Sequence, residues 1–137
     1  NEFLWHYIGD GRDFQQLKDK IDELGLQDNV ICYGQMNNPF TILKQMDYFV
    51  LASRYEGKPV SVTEAMALNI PCIVTAYASA REQVTDGENG FVTDNSEEGI
   101  YRAFDTIFKN PELKDKYHSN MKNISNQEEI QKLYQIL

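Results

Sequence analysis

Two glutamates, Glu56 and Glu64, bracket the stretch Gly57-Lys58-Pro59-Val60-Ser61-Val62-Thr63. Pro59 suits the first position of a helix, where its missing N–H is no loss. Glu56 then lies in the preceding loop, and Glu64 lies more than one turn into the helix, at about 3.6 residues per turn. The amides of Val60, Ser61 and Val62 point out of that first turn without intrahelical partners, and the positive end of the helix dipole favours an anion there. A diphosphate is the natural guest. Lys58 and Arg54 either add positive charge or sit solvated at the surface. Carboxylates accept strong, directional hydrogen bonds from vicinal hydroxyls, so a pair of them flanking a phosphate site suits a nucleotide sugar. The same spacing also fits a plainer arrangement, with Glu64 an exposed helix residue and Glu56 a charge that complements the dipole.

The elements that must hold these residues are legible as apolar runs: Phe3 to Ile8, Val30 to Tyr33, Tyr48 to Ala52, Pro71 to Thr75 and Gly90 to Val92. Most are continuous rather than alternating, the pattern of strands covered on both faces. Between them, Asp13 to Leu24 carries Phe14, Leu17, Ile21 and Leu24 at helical spacing and ends at Gly25. Pro39 and Pro59 open helices Pro39 to Met46 and Pro59 to Leu68. Alternating strands and helices predict a parallel sheet with right-handed crossovers, a Rossmann-like three-layer α/β/α fold. After Val92 only helices follow, near Ser96 to Lys109, Pro111 to Asn123 and Asn126 to Leu137. Asp94 with Glu97 and Ser125 with Glu128 have capping-box spacing. Ligands of such folds bind beyond the carboxyl ends of the strands, which selects the loops Gly9 to Arg12, Gly34 to Asn38, Ser53 to Pro59 and Ala76 to Arg81.

Composition narrows the partners. The 137 residues make one domain, and the net charge of −8 with no local basic stripe argues against nucleic acid. Cys32 and Cys72 lie inside apolar runs and read as core thiols of a reducing cytoplasm, and His6 and His118 have no companions at metal-ligand spacing. No apolar run is long enough to cross a bilayer and no signal-peptide layout begins the chain, so a soluble, cytoplasmic domain without a metal is expected.

The stretch Ser53-Arg54-Tyr55-Glu56-Gly57 through Glu64-Ala65-Met66-Ala67 resembles the signature of the family 4 retaining glycosyltransferases of the GT-B fold. Further pieces fall in that family's order: Tyr7-Ile8-Gly9-Asp10-Gly11, Asn29-Val30 through Tyr33-Gly34, Ile70 through Thr75, and Glu82-Gln83-Val84 through Asp86-Gly87-Glu88-Asn89-Gly90-Phe91-Val92. The resemblance implies the C-terminal, donor-binding half of such an enzyme. Glu56 would lie beside the donor sugar and its reactive carbon, and Glu64 would hold the ribose hydroxyls. Gly57, Lys58, Pro59, Val60 and Ser61 would form the loop whose amides meet sugar and diphosphate. Gly9 and Gly11 would let backbone approach the ligand, although a simple strand-ending turn explains them equally, and Tyr33 with Gly34 would border the base.

The resemblance further implies transfer with retention from a nucleoside-diphosphate sugar, which is a substrate rather than a cofactor, with no cofactor besides. The acceptor, a glycan, lipid or wall polymer, would be held by an N-terminal domain outside this chain, and peripheral membrane association of the full-length enzyme is compatible with that role. Lys58 and Pro59 stand where many members have an aromatic residue and a glycine, and the family's diphosphate-neutralising Arg and Lys belong to a strand and helix before Phe3. The chain is therefore expected to lack the first strand and helix of its domain. A non-catalytic nucleotide-sugar-binding module and a sugar-nucleotide epimerase of related fold are the alternatives.

Overall fold

The computed structural model describes residues 3–123. Contacts divide the chain into two compact units, one up to Thr41 and one from Ile42 onward.

In the first unit, β1 (Trp5–Ile8) pairs in parallel with β2 (Val30–Gly34), and α1 (Phe14–Glu23) connects them. Phe3 and Leu4, which the apolar run suggested as strand, precede the ladder and are exposed. Register shifts at the carboxyl end: Tyr7 faces Cys32 whereas Ile8 faces Gly34, which leaves Tyr33 as an extra residue. Helix α1 buries Ile21 and half-buries Phe14 and Leu17, but Leu24 is the C-cap residue and is exposed. Amides of Gly25 and Leu26 bond back to the carbonyls of Asp22 and Ile21 and close the helix end.

A single turn, α2 (Phe40–Leu43), replaces the longer helix expected from Pro39. Gln45 and Met46 donate to carbonyls three residues earlier, on Ile42 and Leu43, a tightening that ends the helix.

The second unit contains β3 (Phe49–Leu51), α3 (Val60–Ala67), β4 (Cys72–Thr75), α4 (Ala80–Gln83), β5 (Gly90–Thr93), α5 (Glu97–Lys109) and α6 (Glu112–Asn123). Its sheet has the order β3-β4-β5 with both pairings parallel. Side chains alternate across it. Phe49, Leu51, Cys72, Val74 and Val92 join a cluster with Val62 and Ala65 of α3 and Ala80 of α4. Val50, Ile73 and Phe91 face the other way, onto Ala103 and Ile107 of α5. Helices thus cover both faces, giving the expected α/β/α layering, and all four residues of the central strand β4 are buried. Burial also pushes the Cys72 thiol pKa up and keeps it protonated. Cys32 is only half-buried, and both cysteines are free.

Helix boundaries differ from the pattern in informative ways. Ser96, not Asp94, caps α5: its Oγ accepts from the Gly99 amide at 3.0 Å. Asp94 instead holds Arg102 at 2.8 Å. Pro59 is the N-cap of α3 with an extended ψ of 124°, so the helix starts at Val60, one residue later than expected. Helix α4 lies partly in a segment read as loop, and the proposed helix at Asn126 to Leu137, with its Ser125 cap, lies outside the described residues.

Gly90 permits close packing where Gly57 does not require it. A Cβ on Gly90 would stand 2.1 Å from the Cys72 carbonyl oxygen and 2.9 Å from Val84, whereas one on Gly57 would meet nothing within 4 Å. Backbone cannot yield as a flexible side chain can. Gly90→Ala is therefore expected to cost at least about 2 kcal/mol and Gly57→Ala well under 1, measured by chemical or thermal unfolding; equal midpoints would contradict the packing described.

Candidate functional site

At the carboxyl end of β3 the ladder with β4 gives way to a side chain. Thr75 ends an otherwise apolar strand, and its Oγ1 donates to the Ser53 carbonyl at 2.5 Å while accepting from the Ser53 amide at 3.0 Å. The hydroxyl replaces a backbone rung, so the chain can leave the sheet at Ser53 without orphaning polar groups. The exit is fastened further along: Ser53 Oγ donates to the Tyr55 carbonyl at 3.2 Å, and Asn95 Nδ2 to that of Arg54 at 3.2 Å.

Beyond it, Glu56 is half-buried, Gly57 and Lys58 are exposed, and Pro59 turns the chain into α3. No side chain caps that helix, because proline has no group to offer. Pro59 also has no N–H, so the loop's amide donors are those of its neighbours; the expectation that Pro59 itself contributes an amide is corrected on that ground. Its carbonyl has a different use, accepting from Gln83 Nε2 at 3.0 Å. Gln83 Nε2 also donates to Thr63 Oγ1 at 3.0 Å, and Gln83 Oε1 accepts from the Tyr77 hydroxyl at 3.1 Å. Ser79 Oγ donates to the Gly57 carbonyl.

Within α3, Val62, Thr63 and Ala65 face the core. Ser61 and Glu64, one turn apart, are half-buried on the side left uncovered, and Val60 is exposed. Glu64 is thus not the fully solvated helix residue of the plainer reading: burial raises its carboxyl pKa above the usual value. Tyr77 is pushed up to about 12, first by burial and further by the nearby Glu56 carboxylate, and its hydroxyl remains a donor at neutral pH.

The remaining predicted residues lie in the first unit. The Gly9 amide donates to the Gly34 carbonyl at 2.8 Å, and the two adopt φ of +143° and +69°, open to glycine and strained for other residues. A Cβ on Gly34 would meet nothing within 4 Å and one on Gly9 would only touch the Tyr7 ring, so conformation rather than crowding requires glycine at both positions. The Gly11 amide is taken by Asp10 Oδ1 at 2.7 Å. Tyr33 stacks on His6 with centroids 5.7 Å apart, and its hydroxyl meets His6 Nδ1 at 2.9 Å.

Thr75, Tyr77, Ser79 and Gln83 are not among the site residues named from the sequence, although the loop Ala76 to Arg81, which holds Tyr77 and Ser79, is among those it selects. The available signal was a hydroxyl closing a buried strand and two polar residues, Ser79 and Gln83, one helical turn apart just beyond it. Among the described residues no three of His, Cys, Asp and Glu gather as a metal site, and no helix is long and apolar enough to cross a membrane.

Parallel strands layered between helices, with polar loops at their carboxyl ends, define a Rossmann-like ligand-binding fold. The chain belongs to the family Glycosyl transferases group 1, which it matches over residues 1–124. It is 36% identical over 94 residues to the lipopolysaccharide 1,6-galactosyltransferase of Salmonella typhimurium, an alignment covering 65% of this chain and 26% of that protein. It is 35% identical over 86 residues to the poly(glycerol-phosphate) alpha-glucosyltransferase of Bacillus subtilis, covering 62% and 13%. Among solved structures, Anabaena HepE in complex with UDP superposes with a TM-score of 0.79 at 21% identity, over 98% of this chain and 41% of that one. The fold is that of GT-B glycosyltransferases. The chain spans between 13% and 32% of the length of the curated relatives it matches.

The Glu64 shift fixes the sign of a pH effect. A carboxyl whose folded pKa is raised holds its proton more tightly in the folded chain, so its contribution to stability is lost as pH rises from the unfolded through the folded value. Glu64→Gln is expected to raise the unfolding midpoint at pH 7.5 relative to the parent and to leave it nearly unchanged at pH 4, as read by thermal melts at both values.

Proposed function

We propose that this chain is the donor-binding part of a retaining glycosyltransferase, which moves a sugar from a nucleoside diphosphate to an acceptor hydroxyl. The observation that carries the reading is an uncapped helix start at the carboxyl edge of a parallel sheet, with one half-buried glutamate before it and another on its uncovered side. Family membership supports sugar transfer, and structures of similar fold were solved with UDP.

In this reading the amides of Lys58, Val60 and Ser61 bind the diphosphate and stabilise the charge that builds on it as the sugar leaves. Lys58 can add a counter-charge. Glu64 accepts from the ribose hydroxyls, and its partial desolvation strengthens those bonds. Glu56 sits beside the sugar, orients it over Gly57, and stabilises positive charge at the anomeric carbon. In the first unit, taken by itself, Gly9 and Gly11 let backbone approach a ligand and Tyr33 with Gly34 border a base. The acceptor belongs to the rest of a longer protein; the relatives' names point to a bacterial surface polymer. A cytoplasmic location, with peripheral membrane association of the full-length enzyme, is part of the same reading.

Titration with UDP and GDP tests it. The parent chain is expected to bind one of them in the millimolar range or tighter. Glu64→Ala is expected to weaken that binding about tenfold or more, the cost of hydrogen bonds to a charged group, and Glu56→Ala much less. Equal losses, or a parent that binds neither nucleotide at millimolar concentration, would overturn the assignment.

A further inference from the structure

Helix α4 has no role in the reading above, yet it makes the bonds that set the geometry of the donor loop. Ser79 and Gln83 lie one helical turn apart on one face of the segment, separated by about 6 Å along it. The carbonyls they bond, on Gly57 and Pro59, are two residues apart in a loop that is extended at Pro59. Both bonds are made, so one short segment, Ser79 to Gln83, engages both carbonyls.

The peptide bonds are trans among the described residues. In a trans peptide the C=O and the following N–H point in opposite directions. Turning the Gly57 carbonyl toward Ser79 aims the Lys58 N–H away from α4, and turning the Pro59 carbonyl toward Gln83 aims the Val60 N–H the same way. Between them the Lys58–Pro59 peptide has no N–H at all. A flip of either plane would exchange a donor for a carbonyl oxygen beside an anion.

The orientation of Gln83 is itself determined. The Pro59 carbonyl can only accept, so the NH2 end must face it, and Oε1 must then take the Tyr77 hydroxyl proton. The same NH2 reaches Thr63 Oγ1, and so ties the loop to the buried face of α3. Every polar atom of this amide has a partner.

We propose that Ser79 and Gln83 are positioning residues, which hold the carbonyls of Gly57 and Pro59 from one face of α4 and thereby aim the amides of Lys58 and Val60 at the donor's diphosphate. The proposal rests on the donor-site reading and adds what keeps that site pre-formed.

Amide-resolved NMR of the 15N-labelled chain provides the test, with UDP and uridine, or GDP and guanosine, according to which base the parent binds. In the parent, the Lys58 and Val60 amide resonances are expected to move with the diphosphate and not with the nucleoside. Ser79→Ala and Gln83→Leu are expected to lose about tenfold in diphosphate affinity and the Lys58 and Val60 response, with nucleoside affinity unchanged. Ser79→Thr, which keeps the hydroxyl, is expected to behave as the parent. Variants that bind both ligands as the parent does, or that weaken both equally, would overturn the positioning role while leaving the donor site intact. Ser79→Ala alters a partly exposed side chain and gives a folded comparison should Gln83→Leu lower stability. A parent that responds to neither diphosphate would overturn the donor-site reading, and this inference with it.

Discussion

The Thr75 hydroxyl is the hinge of the arrangement. It is almost fully buried, and it both gives and accepts a hydrogen bond with the backbone of Ser53, at the point where β3 would otherwise need a further ladder rung. A valine of similar shape would fill the same space and satisfy neither group, leaving a half-buried donor and acceptor on Ser53 without this partner. Because the hydroxyl closes the ladder there, the following residues can rise over the sheet edge and carry Glu56 into a half-buried position.

What stands beyond that point is governed by local dipoles more than by net charge. The chain carries a net charge of −8, which opposes an anionic ligand at long range. Screening cuts that repulsion off within about 8 Å at physiological salt. Amides fixed by neighbouring bonds act at contact distance, where they need no reorganisation as charge develops. The clamp from α4 therefore matters in proportion to how well it prevents the loop peptides from turning. The packing of α4 serves the same end: Ala80 is fully buried and Val84 nearly so, against Val62, Cys72 and Val92. Apolar burial holds the helix, and its polar residues hold the loop.

The family relation is consistent with this division of labour. Solved structures share the fold at low identity, such as 21% with Anabaena HepE. Such identity conserves layering, because alternating apolar residues can be exchanged for others of similar volume. The loops at the strand ends are free to carry chain-specific chemistry on the same frame. Lys58 and Pro59 lie in such a loop, where the Pro59 carbonyl is what the fold engages.

Much of the frame was legible in the sequence by itself. The five apolar runs located the five strands among the described residues; their continuity led most of them to be read as covered on both faces, and full burial is found at β4, whereas β1, β2 and β3 are half-buried or partly exposed. Gly25, Pro59 and the polar stretch around Glu56 placed helix ends and the candidate site, because those signals are local: a missing N–H or a missing Cβ acts on its own residue. Tertiary structure alone decided which carbonyls and amides face one another. Residues 57 and 79, or 59 and 83, are more than twenty positions apart, and no periodicity links them. It decided likewise that Ser96 rather than Asp94 caps α5, since Asp94 is drawn to Arg102, and that Tyr33 slips out of register to stack on His6. Hydrophobic pattern specifies which face of an element is buried, whereas hydrogen-bond partners depend on where the packed elements bring their polar groups.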